Sequence, residues 1–281
     1  MSESGRPLVS FDLDGVIMQN PFEAGVEPRI LAHLRESPAL RDLHPEEADR
    51  QARTALRNEW GRRAAGGEWV ALYDWDSIYT EVSRGFGGEP APDVAALVEE
   101  FCGVEGMVYL LPGARTGLDR LLREGFRMVA LTNGYYAYQW PVLHALGVAH
   151  DFERVVSPEA AGYAKPDPRL FDSVPGLLAH VGDSLVWDVL GANQAGIFSV
   201  WLDAGLPPEL RALPIEERSG DERFPAHLDA SLHLTKYRRY HPEATLANCA
   251  PDAVVVDVDE AAEVLIHRFG RDGELSPAED V

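Results

Sequence analysis

Residues 10–16 read SFDLDGV and place Asp12 and Asp14 two positions apart at the end of a short apolar run. On a strand, residues spaced by two face the same side, so the two carboxylates stand together and repel. Such a pair is tolerated where a positive charge or a shared proton relieves it. Taken alone, the run reads more simply as a strand entering an Asp-Gly turn. Three further polar clusters bear on the choice: LTNG at 131–134, AKPDP at 164–168 and GDSLVWD at 182–188. Each has an ordinary explanation. A Thr such as Thr132 favours strands or caps helices, a Lys before Pro is commonly a solvated loop charge, and GDSxxxD suits a turn into a helix. Four clusters in this order, each at or just past the end of an apolar run, point instead to one site assembled from distant segments.

The elements that must position these groups follow from hydrophobic pattern. Short apolar runs at 7–14, 127–134, 153–157, 177–184, 198–203 and 253–259 read as buried parallel strands. Helical patterns at 114–125, 138–147, 185–196 and 260–270 lie between or after them. This alternation predicts an α/β fold, a doubly wound, mostly parallel Rossmann-like sheet. Ligands of such sheets bind outside the carboxyl ends of the strands, where Asp12, Asp14, Thr132, Asn133, Ser157, Asp183 and Ser184 are expected to converge.

Two stretches break the alternation. Residues 16–110 are helical in pattern, carry Trp60, Trp69, Tyr73, Trp75 and Tyr79, and show no convincing strand; they read as an inserted helical cap domain. The expected core is therefore 1–15 and 111–270, with hinges near Gly15–Val16 and Leu111–Gly113. Residues 204–252, rich in Pro and charge, read as an irregular insertion, and 271–281 as a flexible tail.

With 46% apolar residues the chain can bury a substantial core. Its 25 Lys+Arg against 46 Asp+Glu give a net charge of −21, which argues against nucleic acid or an anionic membrane as partner. The two cysteines, Cys102 and Cys249, have no metal-ligand spacing and suit a reducing compartment. With no apolar signal core and no run long enough to span a bilayer, the expectation is a soluble cytoplasmic protein. Nothing in the pattern specifies an oligomeric state.

The four clusters together resemble the motifs of the haloacid dehalogenase superfamily, most closely its phosphatases with a helical cap inserted after the first motif. The resemblance covers about 1–16 and 110–203, with 253–265 as a closing strand and helix. It implies a Mg²⁺-dependent hydrolase of small phosphate monoesters working through an aspartyl phosphate. Asp12 matches the nucleophile and Asp14 the general acid/base. Mg²⁺ would be held by Asp12, the Asp14 carbonyl and Asp183, with Asp188 close behind. Thr132 and the amides of Asn133 and Gly134 would hold the phosphoryl oxygens, and Lys165 would balance Asp12 and neutralise the transferring group. The partner implied is a small phosphorylated metabolite, bound through one metal and one lysine on an otherwise acidic protein.

Departures and rivals complete the reading. Only 17 steps separate Lys165 from Gly182, so one crossover is short for the family. A haloacid dehalogenase shares the aspartate nucleophile, but dehalogenases of this type usually lack the second carboxylate, so Asp14 weighs against one. A phosphomutase shares the core motifs, and a non-catalytic binding protein on this fold is the alternative from another class. Arg53, Arg57, Trp60, Arg62 and Arg63 sit at near-helical spacing, either facing substrate or forming a solvated basic face with Trp60 in the cap's own core. Tyr135 and Tyr136 follow the third cluster and either touch substrate or pack beneath the cap. His144 and His180 read as core or edge residues, and Trp187 as a packing residue.

Overall fold

The computed structural model describes residues 5–270. All six apolar runs become strands of one sheet: β1 Leu8–Phe11, β4 Arg127–Leu131, β5 Val155–Val156, β6 Leu177–Gly182, β7 Phe198–Leu202 and β8 Ala253–Val255. Every pairing in it is parallel, in the order β5-β4-β1-β6-β7-β8. Alternation assigns the side chains of each strand to opposite faces. Met128 and Ala130 of β4 enter the larger core, whereas Val129 and Leu131 enter a second core with Leu170 and Phe171. Helices Ala114–Arg123 and Val258–Phe269 cover the first face, contributing Leu118, Leu121, Ala261 and Leu265. The sheet is thus doubly wound, and its order reverses around β1, which has β4 on one side and β6 on the other. That reversal opens a crevice at the carboxyl end of β1.

The expected lack of strands in 16–110 is corrected in detail. β2 (Met18–Gln19) and β3 (Tyr109–Leu110) pair antiparallel, Met18 with Leu110 and Gln19 with Tyr109. The Leu111 amide also donates to the Ile17 carbonyl at 3.0 Å. Two-residue strands carry too short a pattern to be read from sequence. Between them the chain is helical, with Glu27–Arg35, Pro45–Ala65, Trp75–Gly85 and Val94–Cys102 as its main helices.

The stretch 204–252 is not irregular. It holds helices Pro208–Arg211, Ile215–Arg218 and Phe224–Leu234 between β7 and β8. Phe224, Leu228 and Leu232 bury against Trp201 and Val254 in a third apolar cluster. Pro and charge on the exposed positions had masked that spacing. The short crossover after Lys165 is filled by the five-residue helix Pro168–Asp172. Both cysteines are free, and among the described residues no helix is long and apolar enough to cross a membrane. The expected tail, 271–281, lies outside the described residues.

Phe11 on β1 has no exposed surface and meets Phe152 edge-on. Phe11→Ala is expected to cost about 3–5 kcal/mol in urea unfolding. Leu234→Ala, at a side chain 87% exposed, should stay within about 0.5 kcal/mol. Equal losses would mean that β1 is not the centre of the core.

Candidate active site

At the end of β1 the Asp12 amide still donates to the Val181 carbonyl of β6, at 2.8 Å. The chain then turns back at once, and the Leu13 carbonyl accepts from the amides of Val16, Ile17 and Met18. Gly15 stands in the left-handed region at φ +81°, and a Cβ there would lie 2.4 Å from Asp183 Oδ2. Glycine is therefore required both for the turn and for the approach of Asp183. The Asp14 carboxylate accepts from Asn20 Nδ2 at 2.6 Å and from Gln139 Nε2 at 2.7 Å. Burial, then the neighbouring charge of Asp12, push Asp14 up to about 6 in spite of those two donors.

Lys165 supplies the positive charge that the acid pair requires. Its Nζ lies 2.9 Å from Asp12 Oδ1 and 2.5 Å from Asp188 Oδ1, and it donates to the Leu131 carbonyl at 3.1 Å. The side chain is 1% exposed. Burial alone would depress its pKa, but Asp12 and Asp188 more than offset that, and the ammonium is held above its ordinary range. Burial likewise raises Asp12, against the pull of Lys165.

Asp188 rides on the wide turn Leu185–Val189, where the Val189 amide reaches back five residues to the Ser184 carbonyl. Its Oδ1 also faces His180 Nε2 at 3.0 Å, and its Oδ2 accepts from the Ser184 amide at 2.9 Å. A Cβ at Gly182 would lie 2.1 Å from the Asp188 Cγ, so only glycine admits this packing. Lys165 above all holds the Asp188 carboxyl well below its usual range, overcoming the effect of burial. His180 continues the chain of contacts to Ser10 Oγ, 2.8 Å from its Nδ1, inside the sheet.

The third cluster forms the loop after β4. Thr132 is buried, and its Oγ1 accepts from the Gly134 amide at 3.0 Å. The Gly134 amide, expected to face phosphoryl oxygens, is thus turned inward onto Thr132, because a loop this tight uses its own hydroxyl to satisfy the donor. Asn133 binds Lys165 rather than open space. Its Oδ1 accepts from the Lys165 amide at 2.8 Å, and its Nδ2 reaches the Lys165 carbonyl at 3.3 Å.

Asp12, Asp14, Thr132, Asn133, Gly134, Lys165 and Asp183 all line one cavity of about 480 Å³. Asp188 lies directly behind it, 1% exposed. Several other candidates fall elsewhere. Ser157 is buried at the start of helix Pro158–Ala161 and does not line the cavity. Arg53 pairs with Glu27, Arg62 with Glu59 and Glu68, and buried Arg63 with Glu59 and Glu81. Neither they nor Arg57 line the cavity. Trp60 packs on Tyr237 and Tyr240 of the 204–252 stretch, not only within the helical segment 16–110. Tyr135 donates to the Val70 carbonyl at 3.1 Å, and Tyr136 is 43% exposed and stacked on Trp140. Asn20, Gln139 and His180 were not singled out for the site. A lone amide or imidazole has no periodic signature, and only the fold brings these three to the acids.

The donor chemistry suits a hard divalent cation. One carboxylate oxygen from each of Asp12, Asp183 and Asp188 lies within 4.8 Å of the others. Asp183 keeps surface open to solvent, and desolvation together with the neighbouring Asp188 and Asp12 raises its carboxyl above the ordinary range. Because both Asp188 oxygens already serve Lys165, His180 and Ser184, Asp12 and Asp183 are the carboxylates best fitted to touch an ion.

Fold and site together define a doubly wound, parallel α/β protein whose acids gather at the sheet's switch point. The haloacid dehalogenase-like hydrolases match residues 7–196, and the chain belongs to that family. A phosphoserine phosphatase of Thermus thermophilus is 34% identical over 214 residues, 72% of this chain and 83% of that protein. A glyceraldehyde 3-phosphate phosphatase of Methanopyrus kandleri is 35% identical over 132 residues, 43% of this chain and 56% of that protein. Among solved structures, a phosphatase of the family from Thermococcus onnurineus superposes with a TM-score of 0.56 at 23% identity, covering 72% of this chain and 88% of that one. L-2-haloacid dehalogenase from Xanthobacter autotrophicus gives 0.52 at 18% identity, covering 92% and 98%. The same fold thus carries two chemistries, and the choice between them rests on the site.

Asp188→Ala is expected to lose about 3–5 kcal/mol of stability in urea unfolding, since it leaves Lys165 buried with one partner. A loss below about 1 kcal/mol would mean that this pair does not hold the site together.

Proposed function

We propose that the protein is a Mg²⁺-dependent hydrolase of small phosphate monoesters acting through an aspartyl phosphate. The observation that carries the reading is the second carboxylate, Asp14, held by two amide donors in the cavity that Asp12 lines. A dehalogenase has no need of an acid there. The phosphatases among the relatives support the same choice.

A phosphate monoester repels nucleophiles, and its transition state spreads charge over three oxygens. The Asp12 carboxylate would attack phosphorus as the bond to the alcohol oxygen breaks, and Asp14 would give that oxygen its proton. A water would then attack the aspartyl phosphate, pass its proton to Asp14 and release inorganic phosphate. A carboxyl pushed up to about 6 suits a group that must both give and take a proton near neutrality. Asn20 and Gln139 would fix its direction. Lys165 would hold Asp12 in place and offset negative charge on the transferring group. Asp12, Asp183 and the Asp14 carbonyl would hold Mg²⁺, which supplies charge stabilisation to the phosphoryl oxygens when bound.

The helical segment 16–110 would act as the cap, with the paired strands β2 and β3 as its stem. It already meets the core where Asn133 Nδ2 reaches the Tyr73 hydroxyl at 3.3 Å and Tyr138 donates to Asp76 at 2.7 Å. A cap in that position would exclude water during transfer.

Phosphate release from 4-nitrophenyl phosphate is expected to vanish with EDTA and return with Mg²⁺. Asp12→Asn should abolish it, and persistence of release in that variant would refute the assignment. Lys165→Ala is expected to lower kcat about a hundredfold or more, and an unchanged kcat would remove Lys165 from the chemistry.

A further inference from the structure

The cavity that holds the acids has aromatic side chains in its lining from two parts of the chain. Phe22, Tyr73 and Trp75 come from the helical segment after β1, and Trp187 and Tyr237 from segments that follow β6 and β7. Tyr237 belongs to the stretch between β7 and β8, which also brings Ser231 and Thr235 to the lining. Its ring is fixed from two directions. Trp187, on the turn that carries Asp188, lies 4.8 Å away between ring centres, and Trp60 of the helical segment lies 5.8 Å away. Helix Phe224–Leu234, just before it, is clamped to the sheet by Trp201, which meets Phe224 edge-on and stacks on His227. Tyr237 is therefore a built part of the wall.

The charges of this cavity are one-sided. Among the described residues lining it, Lys165 alone is cationic, and its ammonium is already shared between Asp12 and Asp188. Of the arginines at near-helical spacing in the helical segment, Arg53, Arg62 and Arg63 pair with glutamates, Arg57 donates to Thr54, and none of the four lines the cavity. A carboxylate or second phosphate on the alcohol half of a substrate would find no cationic side chain free to meet it. An anion left without a partner in a pocket closed to water is disfavoured. An uncharged group would instead meet aromatic faces and the hydroxyls of Ser231 and Thr235.

We infer that the cavity selects phosphate monoesters whose alcohol half carries no negative charge and presents an apolar or aromatic face, with Tyr237 as the residue that sets this preference. This rests on the monoester hydrolase reading above. It separates the substrates named for two relatives: the alcohol half of glyceraldehyde 3-phosphate is uncharged, whereas that of phosphoserine carries a carboxylate.

The test compares 4-carbamoylphenyl phosphate with 4-carboxyphenyl phosphate, which match in shape and differ in charge. The Mg²⁺-loaded wild-type protein is expected to favour the uncharged ester by about tenfold or more in kcat/KM. Tyr237→Ala is expected to raise KM for phenyl phosphate about tenfold and to raise KM for methyl phosphate, which has no ring to pack, much less. Equal kcat/KM for the two matched esters, with release still abolished by Asp12→Asn, would overturn the inference and leave the hydrolase reading standing. Equal losses on phenyl and methyl phosphate in Tyr237→Ala would remove Tyr237 from the role. Should that variant not fold, the matched pair on the wild-type protein decides the matter alone. Release that Asp12→Asn leaves intact would overturn the hydrolase reading, and this inference with it.

Discussion

One buried ammonium organises this molecule. Lys165 brings a full positive charge to a point where the carboxylates of Asp12 and Asp188 both reach it, almost wholly away from water. A lone buried lysine would lose its proton, and two buried carboxylates would each gain one. Together they offset one another's charge, and the geometry around them is built to preserve that balance. Asn133 holds the lysine backbone through two hydrogen bonds, and the Ser184 amide and His180 hold Asp188. Gly182 leaves room for the Asp188 side chain where any Cβ would collide with it.

The sheet supplies the rigidity that this balance needs. β1 sits between β4 and β6, so loops from three neighbouring strands rise within a few ångströms of one another. Each loop is tightened locally: three amides converge on the Leu13 carbonyl, Thr132 accepts from Gly134, and the turn after Ser184 widens by one residue. Side chains held in this way can meet a phosphoryl group without first reorganising, which is where most of an electrostatic contribution to catalysis arises. Asp14 is the exception in its surroundings. It is steered by amides rather than by a cation, and so remains free to change protonation state while Asp12 stays paired.

The stretch between β7 and β8 shapes the site although it holds none of the four motifs. It is anchored by apolar helix packing on Trp201, and it closes one side of the cavity with Tyr237. The aromatic chain Trp60–Tyr237–Trp187 joins three segments that are far apart in sequence. The shape of the cavity therefore belongs to none of them separately.

Much of the fold was legible from pattern. Six apolar runs became six parallel strands, and the helices flanking the sheet fell where their periodicity put them. Strand ends are where short-range signals are strongest: a period of two places Asp12 and Asp14 together, and glycine marks the turn that follows. The paired strands β2 and β3 are too short to show a period, and the helix Phe224–Leu234 was hidden by proline and charge on its outer face. Sequence by itself determined which residue types wait at the ends of which strands, because alternation and turn chemistry act over a few neighbouring positions. Only the tertiary structure decided that His180 would join Asp188 to Ser10, that Gln139 would reach Asp14 across 125 residues of chain, and that Arg53, Arg62 and Arg63 would be taken by glutamates. Those contacts depend on strand order and on the packing of distant segments, and no local stretch of sequence carries that information.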